Sequence, residues 1–264
     1  WRGWARAAGA GYVVATAVLP VTGLLLVSLQ KFWTPSIRWD QLTLANYQLV
    51  VFQNRDTSHS LLNSLLLGLG GATITMLLAA VLMLQVQAAH GQGRRLVDGI
   101  TALPATIPHT VIGVSFLVAF SRPPFPLYGS VFILLLAYVA IQIPYAARTA
   151  SAAASDVGNE LAEASRVFGA NERRTFWRVL LPLALPGLAA GWVIVFVHMV
   201  GELTASALLS GTSNPVVGRV LVDLFSNGSF PQLTSLAIVM SVVDSIFVLL
   251  MLRLTRRTFD LTVS

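Results

Sequence analysis

The sequence contains no cysteine, so disulfides and thiolate metal sites are excluded and the redox compartment leaves no mark on it. Charge is nearly as scarce. Asp, Glu, Lys and Arg together make up 11% of the 264 residues, whereas soluble domains carry about 25%, and so few charges cannot solvate the surface of a water-soluble globule. No Gly-rich segment ending in GK[ST] is present, so nothing in the chain has the pattern that cradles nucleotide phosphates. The four histidines, His59, His90, His109 and His198, sit on separate segments without a ligand spacing such as i and i+4, and they carry no metal expectation. Clustered carboxylates or His-rich helices, which an integral membrane enzyme would need, are missing as well.

What is abundant is apolar length. Hydrophobic residues are 55% of the chain and the mean hydropathy is +0.74. A bilayer core about 30 Å thick needs roughly 20 apolar residues per helix. Six runs meet that need: Gly9 to Leu29, Leu61 to Leu84, Ile100 to Phe120, Gly129 to Ala147, Leu180 to Val200 and Leu233 to Leu252. Only the last contains a charge, Asp244. In hydrocarbon each run must satisfy its own backbone hydrogen bonds, which apolar runs of this length do as helices, so the expected fold is an all-α, polytopic bundle of six transmembrane helices within a single domain. The first run lacks a small-residue cleavage site before QKFWTPSIRWD and reads as a retained helix rather than a signal peptide. The sequence opens on Trp1 rather than methionine, which fits either missing upstream residues or one half of a longer polypeptide.

The formal charge of +6 would suggest nucleic acid in a soluble protein, but here the Lys and Arg residues report topology. With both termini on one side, that side holds twelve arginines, among them Arg94, Arg95, Arg148, Arg166, Arg173, Arg174 and Arg178, while the other holds Lys31, Arg38, Arg55, Arg122 and Arg219. The positive-inside rule then puts both termini and the Arg148 to Arg178 segment in the cytoplasm, and nucleic acid is not an expected partner. The opposite loops, Gln30 to Ser60, SRPPFPLYG and Leu208 to Gln232, face outward.

Residues 151–180 form a polar cytoplasmic loop, too charged to enter the membrane. Two short helices are expected there. Asn159 can cap the first, Gly169 supplies a left-handed stop, Asn171 can cap the second, and Pro182 and Pro186 open the fifth span. Glu160 and Glu163 lie close together at a three-residue spacing, with Leu161, Ala164 and Ser165 on one side. Such a knob can dock into a groove on a partner; an ordinary amphipathic surface helix has the same pattern.

Glu163, Ala164 and Ser165, then Gly169 after three residues, then Val179, Leu181 and Pro182, closely resemble the EAA loop of binding-protein-dependent ABC permeases. That family's pattern is Glu-Ala-Ala, three residues, Gly, nine residues, Ile, any residue, Leu-Pro; every spacing is kept, with Ser165 for the second alanine and Val179 for the isoleucine. LTLANY, ALPATIPHTVIG and LPLALPGLAAG agree more loosely. The resemblance implies a type I importer permease of MetI-like fold, in the bacterial inner membrane, with Glu160, Glu163, Ala164, Ser165, Gly169, Leu181 and Pro182 in the loop that contacts the ATPase. It further implies a cytoplasmic ABC ATPase dimer that uses the ATP, an external solute-binding protein, a second permease half, and no cofactor on this chain. GELTASALLSG and VLVDLFSNGSFPQLTSLAIVM look most like the ferric-iron branch, while related permeases serve thiamine, phosphonates and polyamines. An ATP-independent secondary transporter or channel is the rival from another class, and it predicts an internal repeat that this sequence lacks.

Two carboxylates fall in or beside the spans. Asp244, central in the sixth, costs roughly 2.5–3.5 kcal/mol on insertion scales, so it should be hydrogen-bonded or face a wet path. Glu202 follows the fifth span. Both are candidates for the translocation path; the plainer reading makes Asp244 an interhelical bond and Glu202 a structural group, because an ion site needs several converging oxygens. Gly68, Gly70 and Gly71 are expected to allow close helix contact, and Pro104 and Pro108 to loosen the third span.

Overall fold

The computed structural model describes residues 2–88, 92–157 and 159–263, and these residues are helical apart from short connections. Helices α1 (Arg2–Val13) and α2 (Leu19–Leu29) join through a π-turn at Val14–Val18. A short α3 (Ala45–Gln48) precedes the long α4 (Arg55–Ala88); then come α5 (Gln92–Ala102), α6 (His109–Phe120) and α7 (Val131–Val157). The loop helices are α8 (Asn159–Val167) and α9 (Glu172–Thr175), and α9 runs through a π-turn at Phe176–Leu180 into α10 (Leu181–Val200). Two further helices, α11 (Thr204–Leu209) and α12 (Val217–Ser226), lead to the final α13 (Phe230–Val263).

The centre is a three-helix packing of α4, α7 and α10, flanked by α13 with α2 on one side and by α6 with α11 on another. Helices in lipid gain little from apolar burial against each other, so close backbone approach at small residues carries much of the attraction. A Cβ at Gly71 would lie 2.7 Å from Met199 Sδ, and one at Gly68 would overlap Val200, so α10 presses on α4 where no side chain stands. Gly187 and Gly191 make the same approach to Ala153 and Thr149 of α7. Gly70, expected to share this role, has open space around its Cβ position. Phe196, fully buried, stacks on Trp192 and meets Phe247 at a tilt, and Trp192 Nε1 donates to Thr73 Oγ1 at 3.1 Å, tying α10 to α4 with a polar bond on the exposed side of the bundle.

Four helical stretches are long and apolar enough to cross a membrane: Arg55–Leu82, Val131–Val157, Glu172–Val200 and Phe230–Met251. They match the second, fourth, fifth and sixth apolar runs. The third run departs from the expected single span, because Arg95–Thr106 and His109–Phe120 meet at 96°. Pro108 is the cause: its ring disfavours a helical residue before it, and Ile107 is extended (φ −100°, ψ 127°). The first run forms a continuous helix from Arg2 to Leu29, of which the apolar stretch Val14–Leu29 is shorter than the other spans.

Two loop boundaries differ from the sequence reading. Residues 151–157, expected as the start of the loop, continue α7 as helix, because the alanine-rich SAAAS stretch has high helix propensity and Ala153 packs on Gly187. The expected outer loop 208–232 contains the whole of α12, together with the end of α11 and the start of α13. In α12 Val217, Val220, Leu221 and Leu224 recur at helical spacing, and Val217 and Val220 are buried. His90 lies outside the described residues, as does the side chain of Asn159.

Candidate functional site

The polar loop folds into a compact knob. At the end of α8, Gly169 takes φ +82°, Ala170 N donates to Ser165 O at 3.1 Å, and Gly169 N donates to Arg166 O at 2.9 Å. These two bonds make the Schellman motif, which satisfies helix-end carbonyls only when the residue after the cap is left-handed. No atom lies within 4 Å of a Cβ placed on Gly169, so the requirement for glycine is one of backbone conformation rather than space. Asn171 then caps α9 by accepting from Arg174 N at 2.8 Å. Ser165 Oγ and Thr175 Oγ1 bond at 3.1 Å, and the buried Thr175 and Phe176 anchor the second helix to the bundle.

Glu160, Glu163, Ala164 and Gly169 all lie exposed on this knob. Three apolar residues that the sequence pattern did not mark stand bare beside them: Val167 at 85%, Phe168 at 90%, and Trp177 at 56% exposure. An apolar pair ending a polar helix, immediately before its glycine stop, was the available signal. Leu181 and Pro182 open α10, just beyond the π-turn. Leu181 is half-buried against the core, and Pro182 lies in the first turn after the π-turn, where Leu181 N bonds back five residues to Phe176 O. That wider turn places the missing N–H of Pro182 where a regular ladder is already interrupted.

A second polar assembly lies where α10 ends. Glu202 is buried; its Oε1 accepts from Thr204 N at 3.0 Å and Ala205 N at 3.1 Å, and its Oε2 is 3.1 Å from His109 Nδ1. The carboxylate therefore starts α11 and clasps the bent third segment, while Tyr138 OH and Ser206 Oγ bond beside it. The backbone of α12 comes so close that Gly218 has no room for a Cβ against Glu202 O and Ser206. Asp244 is not part of this assembly. It is half-buried on α13, and its buried Oδ1 has no hydrogen-bond partner, so the expected interhelical bond is absent at that oxygen. Among the described residues no three His, Asp or Glu side chains converge on a metal position.

Residues 86–260 match the family model described as the binding-protein-dependent transport system inner membrane component. Among curated relatives, the spermidine/putrescine transport system permease protein PotC of Haemophilus influenzae is 25% identical over 78% of this chain and 80% of its own length. The molybdate/tungstate permease protein WtpB of Pyrococcus abyssi is 31% identical over 64% of this chain and 66% of its own. The ferric transport system permease protein FbpB of Actinobacillus pleuropneumoniae is 26% identical over 72% of this chain, which spans only 28% of that longer protein. In shape, the chain is similar to a chain of a bacterial alginate ABC transporter crystallised with an alginate-bound periplasmic protein, with a TM-score of 0.78, 19% identity, and coverage of 97% of this chain and 96% of the other.

Proposed function

Because the chain belongs to the family of binding-protein-dependent transport system inner membrane components, we propose that its knob couples ATP hydrolysis by a separate subunit to passage of a solute through the bundle. The chain is a multi-pass inner-membrane permease subunit of an ABC importer, with the MetI-like all-α fold, and the ATPase is a different polypeptide. The observation that carries the coupling proposal is the knob: a rigid, doubly capped projection with Phe168 and Val167 bare at its tip, which water alone does not favour but a partner groove does. Glu160, Glu163 and Ala164 are exposed on the same helix, and Ser165 and Gly169 fix the knob's shape, while Leu181 and Pro182 open the helix that follows it.

In this reading an ATPase dimer grips two such knobs, one from each permease half, and an external solute-binding protein delivers the solute on the opposite side. The excess of arginines at the knob end supports a cytoplasmic location for it and for both ends of this chain. Ferric iron is the proposed solute, supported by the likeness of GELTASALLSG and the following segment to the ferric branch; a polyamine, thiamine, a phosphonate or molybdate would use the same machinery.

The test is solute uptake into vesicles containing the complete complex, with and without internal ATP, in the native protein and in Glu163→Lys. We expect ATP-dependent uptake that falls several-fold in the variant together with ATPase retention on purification. ATP-indifferent flux would overturn the importer mechanism, and undiminished uptake by Glu163→Lys would remove Glu163 from the contact.

A further inference from the structure

The chain leaves the knob through the span Glu172–Val200, and the short α11 and α12 do not cross back, so Phe230, which opens α13, stands at the end of the bundle opposite the knob. Leu29, which closes the apolar stretch Val14–Leu29, stands there as well, because Ser235 Oγ donates to Ser28 O at 3.3 Å. Two spans therefore meet the same bilayer boundary side by side. The chain that follows Leu29 does not leave that boundary. Gln30 pairs with Leu42, Thr43 N donates to Leu29 O at 2.7 Å, and the buried Asn46 donates from Nδ2 to Ser28 O and Gln30 O, each at 2.8 Å. Residues 30–42 are thus a loop tied at its neck to the ends of the spans.

The loop displays the side chains that a headgroup layer favours. Phe32, Trp33 and Trp39 stand exposed on it. Trp33 tilts on Phe230 with ring centroids 5.5 Å apart, and Phe230 meets the exposed Phe225 edge-on at 5.8 Å. Amphipathic aromatic rings collect at the membrane–water interface. On the same loop Gln30, Lys31, Phe32, Thr34, Arg38 and Gln41 line a cleft of about 80 Å³. Sites that enclose a whole small ligand run to roughly 300–1,000 Å³, so this cleft takes one group of a larger molecule.

The lining fixes the charge of that group. Among the described residues Lys31 and Arg38 form no ion pair, with Asp40 or any other carboxylate, and no acid lines the cleft. Lys31 Nζ has only the ring of Phe32 beside it, 5.8 Å from the centroid. Gln30 Oε1 accepts from Thr34 N at 3.2 Å, which leaves the amide's Nε2 to donate. Ammonium, guanidinium and amide N–H donors at a headgroup boundary match the oxygens of a phosphodiester.

We propose that the cleft of Lys31 and Arg38 holds the phosphate of an anionic membrane phospholipid and pins the end of the first span at the bilayer boundary. The apolar stretch Val14–Leu29 is shorter than the other spans, and a short span keeps its depth through flanking residues that reach the headgroups. The cleft lies at the end of α2, which packs on α13 at the flank of the α4, α7 and α10 centre, so the lipid is a structural ligand and not a transported solute. The inference needs the membrane placement of the bundle and no particular solute.

The experiment titrates the complete importer complex, purified in detergent, with dioleoyl phosphatidylglycerol and separately with dioleoyl phosphatidylcholine, and counts bound lipids by native mass spectrometry. Each copy of this chain is expected to hold one phosphatidylglycerol that the double variant Lys31→Gln, Arg38→Gln binds at least tenfold more weakly, at an unchanged melting temperature. Lys31→Arg with Arg38→Lys, which keeps both charges, should bind it within threefold of the native protein. Excess inorganic phosphate should leave the lipid in place. Equal retention by the double Gln variant overturns the site, and if that variant loses the importer's external binding protein instead, the loop belongs to that contact. A lowered melting temperature would mean that the two side chains hold the fold, which also overturns it. Phosphatidylcholine held as tightly as phosphatidylglycerol overturns the anionic class, and displacement by inorganic phosphate overturns the lipid as occupant.

Discussion

Replacing Gly169 with alanine isolates one physical effect. The residue sits at φ +82° with no atom within 4 Å of the added methyl group, so the substitution introduces no clash and removes no contact. What it changes is the cost of the left-handed conformation, about 1–2 kcal/mol for an L-residue with a Cβ. That conformation is the condition for both closing bonds, Ala170 N to Ser165 O and Gly169 N to Arg166 O. If the ATPase accepts only the closed knob, association with Gly169→Ala weakens by about 5- to 30-fold, the equivalent of 1–2 kcal/mol. Asparagine tolerates the left-handed region better than alanine, so Gly169→Asn should fall between them. The measurement is equilibrium binding of the purified ATPase subunit to permease held in lipid nanodiscs. Affinities for Ala and Asn within twofold of glycine would show that the knob's cap does not govern docking, and Asn weaker than Ala would show that a side chain collides in the docked state.

Two further substitutions test the bundle itself. Glu202→Ala strips the acceptor from Thr204 N, Ala205 N and His109 Nδ1, an expected loss of about 1–3 kcal/mol for the donors left unsatisfied. Glu202→Gln keeps a carbonyl oxygen for the helix start and should lower the melting temperature in detergent by less than half as much; equal losses would mean that charge, not capping, is what the fold needs. Gly68→Val forces a branched side chain into Val200 and Phe196 and should cost about 1–3 kcal/mol or more as α4 and α10 separate, while Gly70→Val, facing open space, should melt within a degree or two of the native protein. A larger loss at Gly70 than at Gly68 would reverse the assigned faces of α4.

The spans were legible because hydrocarbon imposes a length and forbids charge, and four of the six runs could be read from those constraints alone. The third run shows where that reasoning stops. Its composition satisfies the length rule, but Pro108 acts on the backbone of Ile107, a local effect that an average over the run hides. In 208–232 the glycines, serine and asparagine suggested an irregular loop. Val217, Val220, Leu221 and Leu224 nevertheless carried a helical period within it, and burial of that face against the neighbouring helices decides the outcome. Gly70 looked equivalent to Gly68 and Gly71 because the rotational setting of α4 against α10 is a property of the packed bundle.

The knob and the polar contacts of the bundle divide along the same line. Gly169 and Asn171 act within four residues of themselves, so the knob's geometry could be read from spacing before any tertiary contact was known. His198 meets Tyr145 from about 50 positions away, and Glu202 is explained by His109, which lies 93 residues away. The two places are nevertheless the ends of one element. From Glu172 to Val200 the helix is continuous through its π-turn, 29 residues or about 43 Å at 1.5 Å per residue. Ser165 holds α8 to the first turn of that helix through Thr175, and His198 projects from its last turn. A displacement of the knob is therefore applied to a continuous helix whose other end carries the contact of His198 with Tyr145. Because Gly187 and Gly191 meet α7 without side chains between them, α10 can tilt against α7 without repacking large side chains at those contacts.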